Sequence, residues 1–212
     1  MRIQRSIGVA VSVVGAALIL AGCTTPEPQK TPKPTPSATA TVEPTGAPTQ
    51  APVSGPKDEA QAVSDANKVY AEYKQAWFRF LADPALGPDY LEHFVWPDSR
   101  MATLVQDTYT GKAENQASVE GEPFVWQANE ALSYVAPVTN NSTGEVDPLG
   151  AVNLFGCSDN TGVTFLLGGV ENANIPKGSF PYQAVMIYSA EDEGWFVQDE
   201  MSLTGKEGAP LC

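Results

Sequence analysis

Residues 58–83, DEAQAVSDANKVYAEYKQAWFRFLAD, decide the fold of this chain. Asp58 is a residue type that caps helices, and Gln61 follows it at the spacing of a capping box. From residue 63 to residue 81 the apolar side chains recur every three or four positions, which is typical of one face of an amphipathic helix. Asp83-Pro84 interrupts the pattern. The stretch therefore predicts one helix of about 24 residues.

Two shorter helices are expected before any strand. Pro88 in a first turn favours a helix over residues 88–94. Asp98, just after Trp96-Pro97, is placed to cap a third helix that runs to about residue 109.

Beyond Gly111 the sequence takes on the mixed apolar and polar texture of strands. Residues 150–157 and 162–167 are expected to pair across a turn, and AEDEG at residues 190–194 marks the clearest hairpin. The expected strands are residues 118–127, 131–139, 150–157, 162–167, 182–189 and 195–203. Helices that precede an antiparallel sheet indicate an α+β fold. We therefore expect three N-terminal helices packed on a curved antiparallel sheet.

The N-terminus has the layout of a secretory signal. Arg2 and Arg5 precede an apolar run at residues 7–20, which is too short to cross a bilayer core of ~30 Å as a helix. The run ends in Leu20-Ala21-Gly22-Cys23, which matches the lipobox of bacterial lipoprotein precursors. This pattern predicts a signal peptide at residues 1–22, cleavage before Cys23 and a diacylglyceryl lipid on its thiol. The alternatives are an ordinary signal peptide with an incidental cysteine and an uncleaved anchor.

Residues 24–56 are rich in Pro, Thr, Ala and Ser and contain no aromatic residue, so they cannot form a core. Repeated prolines favour an extended chain with a reach of up to roughly 100 Å. We expect residues 23–56 to be a lipid-bearing tether, either bare or carrying O-linked sugars, and residues 57–212 to be a single globular domain.

The charge of the chain excludes some partners. Twenty-five acidic residues outnumber twelve basic ones, for a net charge of −13. Removal of residues 1–22 takes away Arg2 and Arg5 and no acid, so the net charge becomes −15. Such a surface repels nucleic acid and anionic lipid. The predicted membrane contact is therefore the lipid on Cys23 alone.

Three cysteines are present, and the predicted lipid uses one of them. Cys157 and Cys212 remain, and in an oxidising compartment a disulfide is the expected outcome. A metal or catalytic thiol would need partners, and the chain has a single histidine.

The order of elements resembles the nuclear transport factor 2-like, or SnoaL-like, cone, in the form attached to extracytoplasmic lipoproteins of actinobacteria. The resemblance covers residues 57–212 and is carried by VYAEY at 69–73, FGCSD at 155–159, GWFVQD at 194–199 and GAPLC at 208–212. It implies a pocket at the open end of the cone and a bond between a cysteine in the sheet and one at the C-terminus. It also implies the outer face of the cell membrane of a Gram-positive actinobacterium.

Enzymes of that fold place an acid/base residue in the pocket, and His93 is the one histidine that could serve. A lone histidine on a short helix is more often a packing or surface residue. Asp107 and Tyr109 could also approach the mouth, although residues two apart on a helix do not share a face. Zinc ligands at compact spacing are missing, so no metal site is expected, and no motif indicates a cofactor.

Three classes of function follow from these residues. The first is a binding or interaction module of the cell envelope that recognises an envelope protein or a small apolar ligand. The second is a structural or accessory envelope protein. The third is an enzyme of the isomerase or dehydratase kind, which needs His93, Asp107 or Tyr109 to converge in a cavity.

Overall fold

A computed structural model describes residues 46–141 and 143–212. This part of the chain contains two α-helices and eight strands, with a turn of 3-10 helix at Pro88–Leu91. The elements are α1 (Glu59–Ala82), α2 (Arg100–Asn115), β1 (Ala117–Gly121), β2 (Val125–Ala128), β3 (Tyr134–Thr139), β4 (Val146–Asp159), β5 (Val163–Leu167), β6 (Val170–Glu171), β7 (Ser179–Ser189) and β8 (Gly194–Ser202). None of the described helices has the length and apolar character needed to cross a bilayer.

The long helix that the sequence predicts is confirmed in α1. The Asp58 carboxylate accepts a hydrogen bond from the backbone N–H of Gln61 at 2.8 Å, as the capping pattern requires. The helix ends at Ala82, just before Asp83-Pro84.

The strands form two antiparallel sheets. The main sheet has the order β2-β4-β7-β8, with β3 also paired to β4. The small sheet has the order β1-β5-β6. The hairpin expected around residues 190–194 is present, because β7 and β8 pair from Tyr182–Ser202 to Ser189–Gly194.

Helix α1 packs against both sheets because its apolar residues occupy more than one face. Phe80 lies with Leu154, Met186 and Trp195 in the core under the main sheet. Phe78 belongs to a second buried cluster with Val119, Phe124 and Val163, which takes in the small sheet. Two residues along a helix turn the side chain by about 200°, so Phe78 and Phe80 point to nearly opposite sides.

The prediction of three N-terminal helices on one curved sheet is wrong. The expected second helix is reduced to the 3-10 turn, because the backbone at Phe94 and Trp96 pairs with β8 instead. Val197 N–H donates to the Phe94 carbonyl at 2.7 Å, and Trp96 N–H donates to the Val197 carbonyl at 3.0 Å. The third helix is α2, but Ser99 rather than Asp98 caps it, and it continues to Asn115.

The expectation of one sheet fails at Gly121. Residues 118–127 were expected as one strand, but they divide into β1 and β2, which belong to different sheets. Gly121 adopts a φ of +98°, where a Cβ would overlap the carbonyl oxygen of Gly162, and Pro123 follows two residues later. The expected hairpin between residues 150–157 and 162–167 is also wrong, since β4 and β5 belong to different sheets.

Residues 49–53, called the strap below, lie against the domain. Val53 packs on the main core, its N–H donates to the Glu193 carbonyl at 2.6 Å, and its carbonyl accepts from the Tyr188 hydroxyl at 2.9 Å. The strap lies within the residues whose composition predicts a tether. The predicted signal peptide, the predicted lipobox with Cys23 and the predicted tether up to residue 45 lie outside the described residues.

The disulfide between Cys157 and Cys212 is confirmed. Cys157 lies on β4, Cys212 is the last residue, and their Cα atoms are 5.8 Å apart. The bond holds the segment after β8 against the main sheet, where Leu203 N–H donates to the Pro181 carbonyl at 2.8 Å and Pro210 is buried.

Replacement of both cysteines, Cys157→Ser with Cys212→Ser, should lower the free energy of unfolding by up to ~4 kcal/mol, because the bond closes a long loop in the unfolded chain. Urea unfolding followed by circular dichroism measures the change. The native chain treated with dithiothreitol is the matched control, and its urea midpoint should equal that of the double variant. Equal urea midpoints for the oxidised and reduced native chain would contradict the disulfide.

Candidate functional site

The three candidate catalytic residues lie on the surface. His93 follows the 3-10 turn and is exposed, with its Nε2 3.5 Å from the Glu92 carboxylate. Asp107 and Tyr109 are exposed on α2. His93 lines one of the two cavities described below and the other two residues line neither. They therefore do not form a common active site.

A buried ion pair joins α1 to β8. The Lys74 amine lies 3.1 Å from one carboxylate oxygen of Glu200, and the Tyr70 hydroxyl donates to the other at 2.7 Å. The side chains of Lys74 and Glu200 are 6% and 14% exposed. Burial and then the charge of Glu200 raise the pKa of Tyr70 well above its usual range. The phenol therefore keeps its proton and donates a hydrogen bond to the Glu200 carboxylate.

Aromatic rings enclose the Lys74 amine. It lies 5.3 to 5.8 Å from the ring centroids of Tyr182, Phe124 and Tyr70. The ion pair lines neither cavity, and each of its charges has partners. We therefore assign it to the packing of α1 on the main sheet rather than to chemistry.

Lys74→Met should lower the free energy of unfolding by about 3–5 kcal/mol, because it leaves the Glu200 charge buried without its cation. The triple variant Tyr70→Phe, Lys74→Met, Glu200→Leu should recover much of this loss, since no charge then stays buried. Urea unfolding compares the variants.

The matched control is Arg100→Met, because Arg100 also joins a helix to β8, at 3.1 Å from Asp199, but its side chain is 68% exposed. It should cost no more than about 1 kcal/mol. Equal losses for Lys74→Met and Arg100→Met would show that the Lys74 pair is not buried in solution.

An apolar cavity of about 300 Å³ lies between α2 and the small sheet. Its floor comes from β1 and β5, whose residues Val119 and Phe165 face each other across the ladder, as do Ala117 and Leu167. Leu81, Leu166 and Ile175 add further apolar wall. Leu167 is 46% exposed, so the cavity opens to the surface there. We call it the apolar cavity.

Lys112 lines this cavity without placing its charge in it. Its amine donates to the carbonyls of Phe80 and, at 3.0 Å, Asp83, which are carbonyls at the C-terminal end of α1. Burial lowers the pKa of Lys112, and the negative charge of Asp83 acts in the opposite direction.

Gly111 belongs to the helix side of the cavity wall. A Cβ built at this position would meet no heavy atom within 4 Å. A glycine inside a helix costs roughly 0.5–1 kcal/mol relative to alanine. Helix α2 therefore gives up stability at a position that lines the cavity.

A second cavity, of about 540 Å³, lies between the strap, the segment after the 3-10 turn and the β7-β8 hairpin. We call it the acidic pocket, because three carboxylates belong to its wall. Gln50 of the strap closes one side, where its amide donates to the carbonyls of His93 and, at 2.7 Å, Trp195. The wall residues are Thr49, Gln50, Ala51, Pro52, Glu92, His93, Trp96, Pro97, Asp192, Glu193, Gly194 and Phe196.

Within residues 46–141 and 143–212, no group of three or more His, Cys, Asp or Glu side chains is arranged to hold a metal ion.

No protein-family model matches the chain, and no curated protein matches it. Among solved structures the chain is similar to the intermembrane space region of the chloroplast protein ARC6, with a TM-score of 0.42 and 9% identity. That likeness covers 66% of this chain and 95% of the other. At this level the likeness carries no argument about function.

The resemblance implies a pocket at the open end of a cone, but the sequence locates neither of the two cavities. The apolar cavity joins residues near position 111 to residues near position 165, and no local pattern connects them. Gly111 was a visible signal, because a glycine is unfavourable inside a helix. The change from helix to strand is expected at Gly111, but this residue lies inside α2.

Proposed function

We propose that this chain is a lipid-anchored extracytoplasmic protein that binds a small apolar molecule in the apolar cavity. The observation that carries the binding proposal is a surface-open cavity whose wall is mostly apolar and which α2 leaves unfilled at Gly111. Ligand sites are concave and mainly apolar, and ~300 Å³ is at the lower end of their volumes.

The cavity favours a neutral ligand. The Lys112 amine is held by backbone carbonyls, and the rest of the wall has no charged side chain. An ionised ligand would lose its hydration there without gaining a partner, which is unfavourable. A small, uncharged, apolar molecule suits this wall best.

The anchoring proposal rests on the sequence Leu20-Ala21-Gly22-Cys23 and the apolar run before it. A lipid on Cys23 would hold the chain at the outer face of the cell membrane, since two acyl chains anchor stably where one is marginal. The Pro/Thr-rich residues that follow would then let the domain stand away from the membrane surface.

Gly111→Phe should abolish binding of a neutral apolar probe, N-phenyl-1-naphthylamine, because the new ring occupies open space in the cavity. The increase in probe fluorescence on titration measures binding. A chain that starts at residue 23 and carries Cys23→Ser avoids detergent micelles, which would take up the probe. The native cavity should give a saturable increase.

Gly111→Ala is the matched control, because it makes the same backbone change with little added volume. It should bind the probe and stabilise α2 by roughly 0.5–1 kcal/mol. Binding to Gly111→Phe that equals binding to Gly111→Ala would place the probe elsewhere and overturn the cavity as the site.

Cys23→Ala should move the chain from the membrane fraction to the soluble fraction of its own cells, because the thiol that would receive the lipid is gone. Fractionation followed by immunoblotting measures this. The matched control is Thr24→Ala, which changes the residue next to Cys23 but keeps its thiol, and it should stay with the membrane. Continued membrane association of Cys23→Ala would contradict the anchor.

A further inference from the structure

We propose that the acidic pocket binds a small organic ammonium ion. This second site shares no wall residue with the apolar cavity, so binding there can be tested independently of binding in the apolar cavity.

The charges of the pocket favour a cation. Glu92, Asp192 and Glu193 belong to its wall, and neither lysine nor arginine does. His93 is the one basic residue of the wall, and its ring lies beside Glu92. The negative charge also reaches Tyr188, whose pKa is raised by burial and then by Glu193 and Asp147.

Two aromatic rings in the same wall supply a second form of cation recognition. Trp96 and Phe196 pack in a T-shaped arrangement with centroids 5.9 Å apart, and both are half-buried. The face of an aromatic ring attracts a cation, and tryptophan is the strongest of the aromatic residues in this respect. Carboxylates beside a tryptophan therefore favour an ammonium group over a neutral molecule of the same shape.

The same wall is unsuited to a metal ion. The described carboxylates, together with His93, do not come together as a group that could hold one. A metal ion needs several ligand atoms at short distance. An ammonium ion with alkyl substituents is large and weakly hydrated, and it can use separated carboxylates, ring faces and the apolar surface of Pro52 and Pro97.

Hydrogen bonds hold the strap in place as part of the pocket wall. Gln50 ties the strap to the carbonyl groups of His93 and Trp195, and Val53 ties it to Glu193. Because the strap is held at both ends of this contact, binding does not have to order the wall, which reduces the free-energy cost of association.

Choline is the probe, and 3,3-dimethyl-1-butanol is its uncharged counterpart of the same shape. The full chain in a nonionic detergent is titrated with each at constant ionic strength, and the ¹⁵N-indole resonances of its four tryptophans are followed. Trp96 alone among them belongs to the pocket wall, and a Trp96→Phe spectrum assigns its signal. Choline should shift the Trp96 signal saturably, with an affinity at least about tenfold higher than that of the alcohol.

Two double variants test the local charge. Glu92→Gln with Glu193→Gln should weaken choline binding about tenfold, because both carboxylates belong to the wall. Glu114→Gln with Glu120→Gln removes the same charge from exposed positions outside the pocket and should change the affinity less than about twofold. Gly111→Phe should leave choline binding unchanged, which separates this site from the apolar cavity.

Equal binding of choline and the alcohol would overturn the proposal, as would a choline affinity that the Glu92 and Glu193 variant does not lower. An equal shift of the Trp96 signal with sodium chloride in place of choline would also overturn it, because it would reflect the general charge of the chain.

Discussion

The end of strand β1 at Gly121 is the constraint on which the arrangement of the domain depends. A residue with a side chain would collide there with the Gly162 carbonyl, and the Glu122 N–H instead donates to that carbonyl at 3.0 Å. The chain therefore leaves the small sheet and begins the main sheet within four residues. Because the two sheets are separate, α1 packs against both, and a space remains between α2 and the small sheet.

The two cavities differ in the charge of their walls, because the charged side chains around them have different partners. At the apolar cavity, the Lys112 amine is drawn to the carbonyls at the end of α1, so a charged residue contributes mainly its alkyl chain to the wall. At the acidic pocket, Glu92 and Glu193 face no lysine or arginine within the wall. One space suits a neutral apolar molecule and the other suits a cation, although the domain as a whole is strongly acidic.

The sequence allowed prediction of the parts of the fold that depend on neighbouring residues. Helix α1 and its Asp58 cap follow from a local period, and the β7-β8 hairpin follows from the acidic turn between its strands. The disulfide could be predicted from the number of cysteines. The second sheet could not, because Gly121 fits inside a strand pattern as well as at its end. The prediction of a short second helix was wrong because Phe94 and Trp96 pair with Val197, which lies about a hundred residues later in the chain.

Recovery of a bound molecule from the protein made in its own cells tests the central claim most directly. The native chain and Gly111→Phe are purified from the cells that produce them, extracted with organic solvent, and compared by mass spectrometry. We predict a small, uncharged, apolar compound at close to one molecule per native chain that is absent from Gly111→Phe. The same compound in equal amount from both chains, or no compound from the native chain, would contradict the assignment of the apolar cavity as a ligand site.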